Sequence, residues 1–255
     1  MSSKSNFSAI ILAGGYATRL YPITLDASKP LLKIDKRAII DFSIHQLKDI
    51  EAAKEIIVVT NEKFFGDYIK WKKKLRIKKK VTIVNDKTRT DAHKLGAVGD
   101  IYYAIRKRKI TNDVLVIGGD NIFEGRLPGF VNFAKNKSPS ISIGVYDLKS
   151  RSMASRYGVV KLEKNNRVLE FKEKPRRPQS AIVAMCMYYF PKETLAYFRE
   201  YIKDLGRDTD RAGDYIKWLM IKRSLYGFKF SGAWWDIGQL DAYHKAQRYF
   251  SKKNK

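Results

Sequence analysis

The sequence contains one cysteine, Cys186, and three histidines that lie far apart along its 255 residues. One cysteine cannot form an internal disulfide, and no histidine has a cysteine near it, so neither a disulfide framework nor a zinc site is expected. No apolar run approaches the roughly 20 residues that cross a bilayer. Residues 1–6 are small and polar and contain no apolar signal segment. We therefore expect a cytoplasmic protein without a membrane span.

Acidic residues are scarce beside basic ones: 26 Asp and Glu stand against 51 Lys and Arg, a formal net charge of +25. A charge of this size attracts polyanions, including nucleic acids, anionic membrane surfaces and phosphorylated small molecules. The densest basic run, residues 71–80, has a single aromatic residue, Trp71, at its edge. Stacking of nucleobases requires aromatic side chains between the charges, so a solvated helix end followed by a loop is favoured and no specific nucleic-acid partner is expected. The sequence leaves open whether the chain forms a homo-oligomer.

Strands and helices alternate in the first 140 residues. Short apolar runs predict strands, and apolar residues at helical spacing predict helices, at 7–12, 38–52, 55–60, 62–73, 81–84, 97–107 and 113–117. Strands then follow one another, with a hairpin turn at Asn165-Asn166, over 141–146, 158–162, 168–171 and 182–190. Helices are predicted at 192–204, 213–222 and 239–250. This order predicts one Rossmann-like α/β domain of three layers, with a mixed, mostly parallel central sheet and added C-terminal strands.

Two glycines follow the first predicted strand, and two cations follow the glycines. The stretch begins with Leu12, Ala13, Gly14 and Gly15 and continues to Arg19 and Lys29. Glycine lets a phosphate approach the backbone, an arginine offers a planar set of donors, and a lysine offers a mobile charge. The spacing fits neither a Walker loop nor a dinucleotide fingerprint. The stretch therefore predicts a phosphate cradle that belongs to neither of those two classes.

Two aspartates admit both a functional and a structural interpretation. Asp120 follows a predicted strand and a pair of glycines, so it is either a ligand for a hard cation or a helix N-cap. Asp236 follows two tryptophans and precedes a glycine, where a turn residue is also expected. The residues alone leave both alternatives open.

The phosphate cradle and four further segments resemble the sugar-phosphate nucleotidyltransferases, most of all the glucose-1-phosphate thymidylyltransferases. The further segments are GGDNIF, YGVV, EFKEKP and WDIG, at residues 118–123, 157–160, 170–175 and 235–238. The resemblance implies one GT-A-like nucleotidyltransferase domain over residues 1–255, without the left-handed β-helix that some relatives carry. Residues 1–140 would mainly bind the nucleotide, and residues 141–255 would mainly bind the sugar phosphate.

The resemblance implies an Mg²⁺-dependent transfer from dTTP or UTP to a sugar 1-phosphate, with glucose 1-phosphate expected. The products are a nucleoside-diphosphate sugar and pyrophosphate. Because the attacking phosphate oxygen is already an anion, the reaction needs cations rather than a general base. Mannose 1-phosphate, an amino sugar phosphate or phosphocholine as acceptor, and a non-catalytic nucleotide-binding regulatory relative, are the alternatives.

The resemblance also assigns roles to individual residues. It implies catalytic roles for Arg19 and Lys29, and nucleotide binding by Leu12, Ala13, Gly14, Gly15, Gly96 and Asp120. It implies sugar-phosphate binding by Gly158, Glu173 and Lys174, and Mg²⁺ binding by Asp120 and Asp236. Without the resemblance, Glu173 and Lys174 would be read as a solvated ion pair and Gly96 as a helix start.

Three features depart from the family pattern. Ala17 stands where glycine is common, and an alanine fits there if its φ is negative. Cys186 stands where a glycine often lines the sugar pocket, so its side chain would narrow the pocket or change which sugar fits. Residues 85–94 do not match the segment that reads the base, which leaves the choice between dTTP and UTP open.

Overall fold

A computed structural model describes residues 5–205 and 209–253 of the chain. Its strands, in chain order, are β1 (Phe7–Leu12), β2 (Lys33–Ile34), β3 (Arg37–Ala38), β4 (Ala53–Thr60), β5 (Val81–Asn85), β6 (Asp113–Gly118), β7 (Asn121–Phe123), β8 (Ile141–Asp147), β9 (Gly158–Leu162), β10 (Val168–Glu173), β11 (Ile182–Phe190), β12 (Leu225–Lys229) and β13 (Trp234–Asp236). Its helices are α1 (Ile39–Leu47), α2 (Phe65–Lys74), α3 (Gly96–Arg108), α4 (Leu127–Lys137), α5 (Arg151–Ala154), α6 (Ala196–Leu205), α7 (Ala212–Lys222) and α8 (Leu240–Lys253). None of these described helices is both long and apolar enough to cross a bilayer.

Nine of the described strands form one mixed sheet in the order β10-β9-β11-β6-β1-β4-β5, with β8 paired to β11 and β12 paired to β8. The central strands β6, β1, β4 and β5 are parallel, and β11 runs antiparallel to β6. This is the expected three-layer α/β domain, with strands from the C-terminal half added at one side of the parallel core.

Alternate residues of the central strands face two separate apolar layers, as the period of two in a strand requires. Ile10 and Ile57 face a layer that includes Ile101 of α3. Ile11 and Val58 face the other layer, which α1, α2 and α4 cover. Because both faces are covered, the central strands read as continuous apolar runs in the sequence.

Most of the predicted elements are confirmed, with small changes at their ends. The structure shortens the helix predicted at 38–52 to α1, and it divides the one at 192–204 into a short turn and α6. The turn at Asn165-Asn166 joins antiparallel β9 and β10, with Asn166 at φ 69°. The basic run at 71–80 is the exposed end of α2 followed by a loop, as expected.

Several elements were not predicted. Helix α4 begins with Leu-Pro-Gly, which reads as a loop, yet proline is favoured in the first turn of a helix. Strands β7 and β13 have three residues each, too few for a periodic signal, and they pair with each other outside the main sheet. This small ladder follows β6 directly and lies at the carboxyl edge of the parallel strands.

Candidate functional site: a cleft at the carboxyl edge of the sheet

A cleft of about 480 Å³ opens at the carboxyl ends of the central strands, where open α/β sheets bind ligands. Of the residues singled out in the sequence, those that line it are Leu12, Gly14, Gly15, Ala17, Arg19, Lys29, Gly96, Asp120 and Asp236. Ala13 is buried behind the loop, where its N–H donates to the carbonyl of Val59 at 2.8 Å. Gly158, Glu173 and Lys174 are not part of the lining.

A hydrogen bond from Asn61 holds one side of the glycine loop, and the other side of the loop is exposed. The side-chain amide of Asn61 donates to the carbonyl oxygen of Gly14 at 2.9 Å. A Cβ on Gly14 would lie 2.5 Å from a side-chain oxygen of Asp100, so any larger residue would displace that buried side chain. Gly15 is exposed, and a Cβ there would meet nothing within 4 Å. The loop therefore presents its backbone to the cleft, as a phosphate cradle requires.

The backbone of Ala17 does not have the negative φ at which the sequence analysis expects an alanine to fit. Its φ is +51°, in the left-handed region, whereas an alanine fits without strain only at negative φ. The carbonyl of Ala17 accepts from the Thr24 hydroxyl at 2.8 Å and from the backbone N–H of Leu20 at 3.0 Å. These two bonds hold the strained residue and the turn that carries Arg19.

Arg19 lies in the short helical turn Thr18–Leu20 and lines the cleft with an exposed side chain. No ion pair joins it to another residue in the described ranges. Its guanidinium is therefore available to an anion that enters the cleft.

Lys29 and Asp120 form an ion pair inside the cleft. The Lys29 ammonium lies 2.6 Å from a carboxylate oxygen of Asp120. Burial lowers the pKa of Lys29, but the charges of Asp120 and Asp236 outweigh that effect and raise its pKa above the usual value. Lys29 is thus a firmly charged cation beside two carboxylates.

The ladder of β7 and β13 brings Asp120 and Asp236 together. Asp236 pairs with Asn121, and the backbone N–H of Ile237 donates to the carbonyl of Asp120 at 3.0 Å. Burial and the charge of Asp120 raise the pKa of Asp236 to about 7. The alternative interpretations were wrong, because a strand and not a helix follows Asp120, and Asp236 lies in a strand and not in a turn.

A tryptophan and an asparagine support this carboxylate pair, and the sequence did not single out either. The indole N–H of Trp234 donates to the side-chain oxygen of Asn121 at 2.7 Å. The amide of buried Asn121 in turn lies 3.3 Å from a carboxylate oxygen of Asp120 and 3.4 Å from the carbonyl of Gly118. Asn121 is therefore fixed at both ends, and it orients Asp120.

Glu173 ends β10 and Lys174 follows it, and the Glu173 carboxyl faces Gly213 of α7. The charged atoms of Glu173 and Lys174 are 3.7 Å apart, and burial raises the pKa of Glu173, so a fully solvated pair is the wrong description. The positive charge of Lys174 opposes the rise in the pKa of Asp236. Glu173 pairs with Gly158, where a Cβ would strike the Phe171 ring.

Gly96 and Cys186 both adopt left-handed backbone conformations. Gly96 begins α3 at φ +75°, and a Cβ there would lie 2.5 Å from the Cα of Asp210, so it is a helix start that also lines the cleft. Cys186 has φ +52° in an irregular part of β11. Burial and the nearby charges of Asp120 and Asp236 raise the pKa of its thiol far above the usual value. Cys186 therefore lies beside the carboxylates as a neutral side chain.

The other wall of the cleft contains charged residues that were not predicted: Asp91, Lys94, Asp100 and Asp210. Asp100 lies four residues before buried Ala104 in α3, so an acidic residue on an apolar helix face was the available signal.

A larger cavity of about 820 Å³ adjoins α3 and shares only Lys94 with the cleft among its described lining residues. Its described lining includes lysine and arginine side chains but no carboxylate.

Comparison with known proteins gives the family. Residues 8–253 match the Nucleotidyl transferase family, and the chain belongs to it. The fold is similar to that of a solved protein from Bacillus anthracis described as a putative glucose-1-phosphate thymidylyltransferase in complex with a sucrose. The TM-score is 0.80 at 22% identity, over 95% of this chain and 94% of the other. The family resemblance and the fold class predicted from the sequence are thus confirmed.

Replacement of Ala17 by glycine should stabilise the protein by roughly 0.5–1 kcal/mol. A left-handed alanine costs about 1–2 kcal/mol, and the greater chain entropy of glycine offsets about 0.5–1 kcal/mol of the gain. Urea unfolding measures the change. Ala242→Gly within α8 is the matched control and should lower the free energy of unfolding by about 1 kcal/mol. Equal destabilisation by both changes would contradict the strain assigned to Ala17.

Proposed function

We propose that the protein catalyses Mg²⁺-dependent transfer of a nucleotidyl group from a nucleoside triphosphate to a sugar 1-phosphate. The observation that carries the proposal is the convergence of Arg19, Lys29, Asp120 and Asp236 on one cleft beside the glycine loop. Two cations and two carboxylates beside exposed backbone N–H groups suit a reaction between polyanions. The family to which the chain belongs supports nucleotidyl transfer.

The reaction joins a phosphate oxygen of the sugar 1-phosphate to the α-phosphorus of the triphosphate. The bond from the α-phosphorus to its bridging oxygen breaks, and pyrophosphate leaves with that electron pair. No proton has to be removed from the nucleophile, so the residues supply charge and position. Arg19 would stabilise charge at the α-phosphate, and Lys29 would hold phosphate oxygens.

The residues present fit a magnesium ion. Asp120 and Asp236 offer hard oxygen ligands, and Mg²⁺ is commonly held by one or two carboxylates together with substrate phosphates. Burial, followed by the charge of Asp120, raises the pKa of Asp236, and a divalent cation beside the two carboxylates would oppose both effects. The described residues contain no group of three or more His, Cys, Asp or Glu that could hold a metal by itself, so nucleotide oxygens would complete the coordination. A bound Mg²⁺ would neutralise charge on the phosphates.

The sugar phosphate would lie on the side of the cleft nearer to β9 and β10. Lys174 would bind its phosphate, Glu173 would accept hydrogen bonds from sugar hydroxyls, and Gly158 would allow close approach. We accordingly assign residues 1–140 mainly to the nucleotide and residues 141–255 mainly to the sugar phosphate.

The resemblance favours dTTP or UTP as donor and glucose 1-phosphate as acceptor, and these pairs are the first to test. A screen of pyrophosphate release should combine the common triphosphates with glucose 1-phosphate, mannose 1-phosphate, amino sugar phosphates and phosphocholine. We expect release only when both substrates are present. Binding of nucleotides without release for any pair would instead favour a non-catalytic regulatory relative.

Asp120→Asn should reduce the turnover number by about 10²–10³-fold, because the change removes a charge at the centre of the phosphate site. Steady-state pyrophosphate release measures the effect. Asp49→Asn is the control, since its carboxylate is 80% exposed and pairs only loosely with Lys48 at 3.9 Å. Undiminished turnover in Asp120→Asn would remove this residue from the proposed metal site.

Trp234→Phe should raise the Mg²⁺ concentration for half-maximal rate by about tenfold or more. A smaller aromatic ring remains, but Asn121 loses its donor and Asp120 loses its fixed orientation. Such supporting partners change metal affinity about 10–100-fold. Trp71→Phe is the matched control, because it also removes one indole hydrogen bond, to Asp41 at 2.8 Å. An equal Mg²⁺ requirement in both variants would show that Trp234 has only a structural role.

A further inference from the structure

Two aspartates that the transfer reaction does not use are buried against the glycine loop. Asp86 follows β5 and is 5% exposed, and Asp100 lies in α3 and is 6% exposed. One side-chain oxygen of each lies against Gly14, at 3.2 Å and 2.5 Å from the position that a Cβ would take there. The two carboxyl groups are also within hydrogen-bonding distance of each other. The pair therefore joins α3 to the end of β5 beside the loop that follows β1.

A contact between two carboxyl groups requires a proton, and the other partners of each group decide which one carries it. One oxygen of Asp86 accepts from the backbone N–H of Thr88 at 2.6 Å and from the Thr88 hydroxyl at 2.7 Å, which stabilises the ionised form. The Oδ1 atom of Asp100 is buried and lacks a hydrogen-bond partner among the described residues. A charge on Asp100 would therefore be poorly solvated. Asp86 is the ionised acceptor, and Asp100 is the protonated donor.

No cation compensates the pair. In residues 5–205 and 209–253, no ion pair joins a lysine or arginine to either aspartate. Lys94, which lines the same wall of the cleft, pairs instead with Asp91 and Asp210 at 3.3 Å each. The shared proton is thus what reduces the repulsion between the two carboxyl groups.

The other titratable groups that face the pair are acids. Burial, followed by the charges of Asp86 and Asp210, raises the pKa of Asp100 well above its usual value. Glu62 adds negative charge beside Asp86, and the buried phenol of Tyr16 faces both aspartates. These surroundings favour the protonated form of Asp100.

We infer that Asp100 is a positioning residue, which donates a hydrogen bond to Asp86 and thereby holds α3 and the end of β5 against the glycine loop. The carbonyl of Gly14 is fixed by Asn61, and its Cα side is packed against the pair. The inference rests on the proposed function for the statement that this loop binds a triphosphate.

The first test measures the proton on Asp100 through its effect on folding. Asp100→Asn keeps the shape of the side chain and one donor, but it cannot titrate. Between the pKa of an unfolded aspartate, about 3.9, and the raised pKa, the folded wild type binds one proton more than the unfolded chain. Wild-type stability should therefore fall relative to that of Asp100→Asn as the pH rises.

Urea unfolding at a series of pH values measures this change. The unfolding equilibrium constant of the wild type, divided by that of Asp100→Asn, should rise by up to about tenfold per pH unit above about pH 4. The ratio should become constant once the pH exceeds the raised pKa. Asp49→Asn is the control, because its carboxylate is 80% exposed, and it should show no such trend.

The second test measures the effect on the glycine loop, with inorganic tripolyphosphate and Mg²⁺ as a probe that has no base. Asp100→Ala should bind tripolyphosphate about tenfold more weakly than the wild type in calorimetry at pH 7, about the effect of one lost hydrogen bond. Asp100→Asn should recover most of that loss, because its amide still donates to Asp86. A side chain that only fills space would not distinguish these variants through their donors.

A ratio of unfolding constants that does not change with pH would overturn the inference, because Asp100 would then be ionised in the folded protein. Equal tripolyphosphate binding by Asp100→Ala and the wild type would overturn the positioning role. Absence of tripolyphosphate binding by the wild type, together with absence of pyrophosphate release from every substrate pair, would instead contradict the proposed function and with it the role of the loop. The pH trend would still decide the hydrogen bond in that case.

Discussion

The cleft depends on the confinement of two like charges, Asp120 and Asp236, beside one partly buried cation, Lys29. The ladder of β7 and β13 forces the carboxylates together, and the Lys29 ammonium at 2.6 Å from Asp120 offsets part of their repulsion. Burial strengthens both the repulsion and the attraction, because the interior has a low dielectric constant. Additional positive charge would therefore stabilise the site. A divalent cation bound to a polyanionic substrate would supply that charge.

Much of the surrounding structure keeps this pair in place. Trp234 and Asn121 orient Asp120 through hydrogen bonds, and Trp235 packs on Tyr249 and Phe250 of α8. Helix α8 thereby fixes β13 from outside the main sheet. On the other side, the strained backbone of Ala17 holds the turn that carries Arg19. The positions of charges in the cleft thus follow from packing several residues away from them.

The sequence was sufficient for elements with continuous apolar runs, and β1, β9 and β11 have the predicted bounds. It was insufficient where a tertiary contact decides the structure. Strands β7 and β13 are too short to show a period and exist because they pair across more than 100 residues. Local motifs identified Lys29 and Asp120, but their contact across 91 residues was not predictable. The contact of Asp100 in α3 with Asp86 after β5 escaped notice because only the tertiary structure brings the two carboxyl groups together.

Direct measurement of divalent-cation binding tests the central claim, that Asp120 and Asp236 form a cation site completed by the triphosphate. Electron paramagnetic resonance with Mn²⁺ can count bound ions with and without a non-hydrolysable triphosphate analogue. The account predicts one additional Mn²⁺ per chain when the analogue is present, and loss of that ion in Asp236→Asn. Equal Mn²⁺ binding by the wild type and Asp236→Asn would contradict it.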